Sequence, residues 1–375
     1  MLSFSHTFSS VVHPKDILVI GVSGGVDSMV LLDLVRKFHP SENIVVAHFD
    51  HSLRGAESDG DRDFVADFCK RENIVFQTKK VDILAFAKER KGSIEAVARK
   101  ERYDFLEHVR AEQGARYILT AHHADDQVET MLLNLIKGGK SQGLSGMSTV
   151  STSSFAKGLL NGKGGGGLAS FPLDKGGRGD LVSVQNPQSS QARTASRNEY
   201  GTGSLQKELI GTIFRPLLEQ TKEEILHYAK NCNIQFREDA SNSDTRYERN
   251  RIRQDIIPVF REINPSIHRT FQHLASYMQE VTEYFDHASL EWLEDAEGKS
   301  GKKNTFLIRD FHSTHPFLQR ELIAHLYREA HSGSSQGLSA KLINELIRFI
   351  SDPNSFGVKD IGKLHLERRG ERVVY

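Results

Sequence analysis

The chain has 375 residues, 38% of them apolar and 26% charged, with Lys+Arg and Asp+Glu equal at 49 each. These proportions describe a soluble globular protein long enough for two domains, and no apolar run approaches the roughly 18 residues that a membrane span requires. Met1–Pro14 lacks the basic and apolar regions of a secretory signal, and the two distant cysteines, Cys69 and Cys232, exclude a disulfide scaffold or a C-x-x-C site and fit a reducing cytoplasm.

In chain order, Ile17-Leu18-Val19-Ile20 is a short apolar run ending at a glycine-rich turn. Ser28–Phe38 follows with helical spacing at Val30, Leu31, Leu34, Val35 and Phe38. Ile44–Ala47 predicts a second strand, about 59–72 a helix, Ile74–Phe76 a third strand, Ile94–Gln113 a long helix, Tyr117–Thr120 a fourth strand and Asp125–Ile136 another helix. Strands alternating with helices imply crossover connections and an open α/β fold, a parallel sheet of five-stranded type with helices on both faces.

Between 148 and 205 the character changes: Gly164–Gly167, Gly176-Gly177 and many serines leave almost no apolar periodicity. Such a stretch buries too little apolar surface to offset its ordering entropy, and is expected to be a disordered insertion. Patterning resumes at Ile213–Leu218. Thr221 and Glu224 then form a T-x-x-E capping box that opens a helix to about Asn231. Beyond Asn250 the spacing is helical over 252–260, 268–293, 317–331 and 339–350. The expected organisation is a catalytic domain of 1–147 and 206–248, the insertion at 148–205, and a helical domain at 249–375.

The strongest chemical signal is Ser23-Gly24-Gly25-Val26-Asp27-Ser28 between a strand and a helix. Glycines let backbone N–H groups approach an anion, and the helix tip adds partial positive charge worth roughly 0.3–1 kcal/mol per anionic contact. Ser23 and Ser28 add hydroxyl donors. Asp27 would repel phosphates unless a Mg²⁺ ion bridges the two. The string is neither G-x-x-x-x-G-K-[ST] nor G-x-G-x-x-G, which lowers the weight of ordinary P-loop and hydride-transfer chemistry.

S-G-G-x-D-S resembles the signature of the PP-loop ATP pyrophosphatases, which cleave ATP to AMP and pyrophosphate and activate an oxygen as its adenylate. The resemblance extends, towards the tRNA(Ile)-lysidine synthetase family, through His48–Arg54, Glu95–Arg99 with Arg102-Tyr103, Ala121–Thr130, Arg215–Leu218, Asp239–Asn242 and Arg249–Arg253. It covers about residues 15–147 and 210–262, and departs at the 148–205 insertion. It implies an adenine nucleotide alpha hydrolase-like sheet in a cytoplasmic ligase. The implied reaction joins the amine of free L-lysine to carbon 2 of the wobble cytidine of an isoleucine tRNA with a CAU anticodon, through an adenylated cytidine. ATP and Mg²⁺ are the implied cofactors and no membrane is involved. Oligomeric state stays open, a homodimer included.

On this reading Asp27, Arg102, Asp126 and Glu129 are the catalytic candidates, with Asp27 also the metal ligand. ATP contacts fall to Ser23, Gly24, Gly25, Val26, Asp27, Ser28, His48, Asp50, Arg99 and His122. Arg99 and Arg102 stand three apart on one helix face, suited to clamp developing phosphate charge or simply to be solvated. Asp126 and Glu129 open a helix after a strand, at the ligand edge of an α/β sheet, and would take the lysine ammonium or the metal; two ordinary first-turn acids are the rival. His48, Asp50 and His51 end the second strand, where substrate positioning and structural hydrogen bonding compete. Arg246, Arg249, Arg251 and Arg253 form the densest basic cluster, a candidate tRNA-phosphate contact that Glu248 and Asp255 dilute. Another adenylating member of the superfamily, for tRNA thiolation or amide formation, and a non-catalytic nucleotide- or RNA-binding module are the alternatives.

Overall fold

The computed structural model describes residues 2–52, 56–90, 93–138, 141–152, 181–184, 212–237, 248–331, 333, 335 and 337–375. Packing divides the chain into two units. The first ends at His273; the second runs from Leu274 to Tyr375 and takes in the short helix Ser141–Leu144.

The apolar runs read from the sequence are strands of the first unit: β1 (Leu18–Gly21), β2 (Ile44–Asp50), β3 (Val75–Lys80), β4 (Tyr117–Leu119) and, further on, β7 (Thr212–Phe214). These five pair in parallel in the order β7-β4-β1-β2-β3. Two antiparallel strands close the edges, β5 (Val150–Thr152) against β7 and β6 (Leu181–Val184) against β3. Both lie inside the stretch read as one structureless insertion; the remainder of that stretch beyond Thr152 lies outside the described residues.

Side chains alternate along each strand, so one sheet builds two cores. Leu18, Ile20, Ile44 and Val46 face α1 (Leu2–Val11), α2 (Val26–Phe38), α3 (Ala56–Arg71) and α8 (Lys222–Asn231), whose Phe4, Phe8, Leu31, Val65, Ile225 and Ala229 join one cluster. Val19, Val45 and Ala47 face the other way, onto α4 (Ile83–Arg90) and α5 (Ile94–Glu112) through Ile83, Phe105, Leu106 and Val109. All seven residues of β2 are buried, as a strand covered on both faces requires. Neither α1 nor α4 was legible in the amino-acid pattern. The rest of the unit comprises α6 (Ala124–Ile136), α9 (Glu248–Arg251), a π-helical turn Ile252–Ile256 and α10 (Ile257–Ile263); α7 (Ser141–Leu144) belongs to the second unit.

Strand order reverses at β1, whose neighbours β2 and β4 lead the chain in opposite directions across the sheet. Open α/β sheets bind ligands at the carboxyl ends of the strands flanking such a switch. The segments leaving β1 and β4 carry Ser23–Ser28, which runs into α2, and His122–Glu129, which runs into α6.

In the second unit α11 (Ile267–Ser300, from Leu274 onward), α12 (Ile308–Ser313), α13 (Pro316–Ala330) and α14 (Ala340–Ser351) accompany a four-stranded antiparallel sheet. Its order is β8 (Thr305–Leu307), β11 (Arg372–Val374), β10 (Leu364–Arg369), β9 (Gly357–Ile361). Phe306, Leu326, Leu346, Leu366 and Val373 share its core. α11, α13 and α14 match the sequence reading, which missed α12 and the sheet. No helix of the described residues is long and apolar enough to cross a membrane.

Candidate active site

The turn of the Ser23–Ser28 loop depends on Gly24. Gly24 sits at φ +94°, which side-chain-bearing residues rarely adopt, and its carbonyl accepts from the Arg237 N–H at 3.0 Å. Ser28 Oγ, in the first turn of α2, donates to Gly25 O at 2.9 Å and accepts from the Ser23 N–H at 3.2 Å, while Ser23 Oγ accepts from the Gly25 N–H at 3.3 Å. The two serines thus pin the loop around α2's N-terminus. Gly25 is the N-cap and supplies no side chain to cap it, which leaves the amino end of a 13-residue helix turned to the crevice.

Asp27, on the first turn of α2, meets two residues that the sequence analysis did not single out. Lys222 Nζ lies 2.6 Å from its Oδ1, and His123 Nε2 3.8 Å from its Oδ2. Lys222 opens α8, whose capping box is formed as expected: Thr221 Oγ1 accepts from the Glu224 N–H at 3.2 Å and Glu224 Oε2 from the Thr221 N–H at 2.8 Å. The Lys222 N–H is 3.3 Å from Asp125 Oδ2, and Asp125 also pairs with Arg261 at 2.7 Å.

From Asp27 the network continues into α6. His123 Nε2 is 3.5 Å from Asp126 Oδ2, and that same oxygen accepts from the His123 N–H at 3.0 Å, so Asp126 caps its own helix. Its other oxygen is 3.3 Å from Arg253 Nη2, and Arg253 Nε donates to Glu129 Oε1 at 2.6 Å. Glu129 is 1% exposed. Burial pushes its carboxyl above the usual range, and the Arg253 guanidinium pulls it only part of the way back. Lys222, Asp27, His123, Asp126, Arg253 and Glu129 therefore lie in one run of contacts between basic side chains and carboxylates, from the Ser23–Ser28 loop to the α6 acids, with His123 Nε2 beyond hydrogen-bonding distance of Asp27.

A second, basic group gathers around His122. Arg99 and Arg102 lie against the Tyr103 ring, 5.2 and 5.4 Å from its centroid, which confirms their shared face. Burial lowers His122 well below its usual range, with Arg102, Arg215 and Arg99 adding to the effect, and its Nδ1 is 2.9 Å from Thr120 Oγ1. Arg215 is 6% exposed and donates to Ser148 O at 2.7 Å and Ser151 Oγ at 2.9 Å. Arg102 and Arg215 are pushed down by burial, and guanidinium groups remain cations there.

The other candidates have local work. His48 Nδ1 lies 2.9 Å from Val22 O, tying β2 to the start of the phosphate loop, and burial lowers its imidazole. Asp50 Oδ1 accepts from the Ser52 N–H at 2.7 Å, and its Oδ2 is 3.8 Å from Lys80 Nζ. The basic cluster does not face outward as a set. Arg249 is 3.5 Å from Glu95, Arg251 3.9 Å from Asp255, and Arg253 is turned onto the α6 acids by the π-helical turn. Arg246 lies outside the described residues, as do Leu53, Arg54 and Asp239–Asn242.

Among the described residues no group of three or more His, Cys, Asp and Glu could hold a metal. Asp27 alone still fits Mg²⁺, which keeps several waters and is completed by one or two carboxylates plus substrate phosphates. The carboxylate already attracts a cation, Lys222.

Comparison with known proteins adds the following. Residues 3–161 and 195–260 match the PP-loop domain family. The tRNA(Ile)-lysidine synthase of Bacillus subtilis is 34% identical over 268 residues, 71% of this chain and 45% of that one. The tRNA(Ile)-lysidine synthase of Bacillus anthracis is 31% identical over 372 residues, 97% of this chain and 66% of that one. The chain thus spans between about half and two thirds of the length of these relatives.

Proposed function

The chain belongs to the PP-loop domain family, and on that premise we propose that it joins free lysine to carbon 2 of the wobble cytidine of an isoleucine tRNA with a CAU anticodon, at the expense of ATP. The observation that carries the reading is the run of contacts from the phosphate loop, through Asp27 and His123, to Asp126 and Glu129. It supports the reading of a triphosphate cradle beside two carboxylates suited to an ammonium substrate.

The residues divide the work by charge. The α2 tip, the loop N–H groups, and Ser23 and Ser28 bind and orient the β- and γ-phosphates of ATP. Asp27 would hold Mg²⁺, which would supply neutralising charge for the triphosphate. Arg99 and Arg102, carried on α5, hold the negative charge that builds as the cytidine oxygen is adenylated. Asp126 and Glu129 orient the lysine side chain, and Glu129, with its carboxyl raised by burial, takes the proton that the attacking amine sheds. Arg253 keeps both acids in place until substrate competes for them. Arg249 and Arg251, whose partners are exposed, are the phosphate contacts to tRNA that the cluster retains, with the unit from Leu274 onward as a further tRNA surface. The work is cytoplasmic.

The test is incorporation of labelled lysine into tRNAs that differ only at the wobble base. The reading expects ATP-dependent label only when that base is cytidine in a CAU anticodon, with AMP and pyrophosphate released in equal amounts. AMP release that is coupled to sulfur or ammonia transfer, or ATP binding with no release, would replace it with a thiolating or amidating enzyme or with a binding module.

A further inference from the structure

We propose that Lys222 is a phosphate-binding residue held in reserve by Asp27, exchanging its carboxylate partner for the triphosphate when nucleotide and Mg²⁺ arrive. The inference rests on the nucleotide-binding reading above and adds a residue to it.

Three observations converge. The Lys222 ammonium lies 2.6 Å from Asp27 Oδ1, on the first turn of α2, so a group bound at that helix tip is within reach of the same side chain. The main chain of Lys222 is fixed at the start of α8 by the Thr221–Glu224 capping box and by Asp125, which leaves only the four-carbon stem free to swing. The pair is also partly open to water, at 35% exposure for Lys222 and 29% for Asp27, so the contact is screened and gives way to a stronger competitor. A divalent ion outcompetes a single ammonium for Asp27. The displaced ammonium then faces the polyphosphate, where lysine serves as a compact point charge. In the nucleotide-free protein the same contact neutralises a carboxylate that would otherwise repel incoming phosphates.

The exchange predicts a dependence on phosphate number. Full-length Lys222→Met and Lys222→Arg are compared with the parent by calorimetric titration of a non-hydrolysable ATP analogue and of AMP, each with and without Mg²⁺. The expected result is at least a tenfold loss of affinity for the Mg²⁺-bound triphosphate analogue in Lys222→Met, substantial recovery in Lys222→Arg, and unchanged AMP binding. Without Mg²⁺ the loss should be smaller, because Asp27 still holds the lysine of the parent protein. Equal analogue affinity in Lys222→Met and parent overturns the inference, and so does a parallel loss of AMP and analogue, which marks a merely structural residue. Failure of the parent protein itself to bind the analogue removes the nucleotide-binding reading, and the inference with it. Thermal melts of both variants identify one that has not folded; in that case Lys222→Gln, subject to the same two criteria, decides.

Discussion

Replacing Gly24 by alanine isolates the backbone requirement of the phosphate loop. The added Cβ would meet Val65 Cγ2 at 3.5 Å and nothing closer, an ordinary contact, so sterics with neighbours contribute little. The penalty comes from φ +94°. Holding a non-glycine residue in so sparsely populated a region costs about 1–3 kcal/mol, against which the stiffer unfolded chain returns about 0.4–1 kcal/mol. The net expectation is about 1–2 kcal/mol of lost stability. Gly25 is the matched control: its φ of −73° and ψ of 162° suit alanine, and its Cβ would meet only Ser23 Oγ at 3.5 Å. There the poorer N-cap and the stiffer unfolded chain roughly cancel, leaving a change within about 0.5 kcal/mol. Urea unfolding of the two variants under identical conditions reads the difference directly. Gly24→Ala that unfolds at the same midpoint as Gly25→Ala would refute the argument that the left-handed residue shapes the loop.

Two further outcomes follow from the buried charges. Arg253→Ala leaves Glu129 without its cation, a cost of about 1–3 kcal/mol after discounting for the exposed part of the arginine. Adding Glu129→Gln should recover much of this at pH 7. Lowering the pH should shrink the Arg253→Ala deficit as Glu129 takes up a proton, and additive effects in denaturant titrations would contradict the pairing. His122, His48 and His39 are all lowered in the folded state, chiefly by burial. The unfolded chain therefore binds more protons once the pH falls below about 6.5, and stability drops there by up to about 1.4 kcal/mol per histidine per pH unit. His122→Asn should flatten part of the decline in Tm from pH 6.5 to 5.5, and an unchanged slope would show that His122 is not held neutral.

The parallel sheet was legible because strands covered on both faces read as continuous apolar runs, as in Ile44–Ala47, and because each was followed by helical spacing. The edge strands were not. Val150–Thr152 and Leu181–Val184 are three and four residues long and gain their place from pairing with β7 and β3, which no local pattern reports. In the second unit Leu364–Arg369 does alternate, with Leu364, Leu366 and Arg368 buried, but the charged residues around it hid a strand whose face packs on helices. The site divides in the same way. Ser23–Ser28, Asp126 and Glu129 could be named from motif and position. The contact of Asp27 with Lys222 spans 195 residues of sequence, and its only local trace was the capping box that fixes where α8 begins. Arg253 was read as a phosphate contact because arginines cluster there; the π-helical turn that aims it at Glu129 has no signature in composition.

On the proposed function, main-chain amides at the tip of α2 receive the triphosphate of ATP. Backbone hydrogen exchange, followed residue by residue with and without a non-hydrolysable ATP analogue and Mg²⁺, addresses it most directly. Exchange at Gly24–Ser28 should slow on adding nucleotide, with little change in the sheet from Gly357 to Val374. Slowed exchange confined to other segments, with Gly24–Ser28 unaltered at saturating analogue, would contradict it.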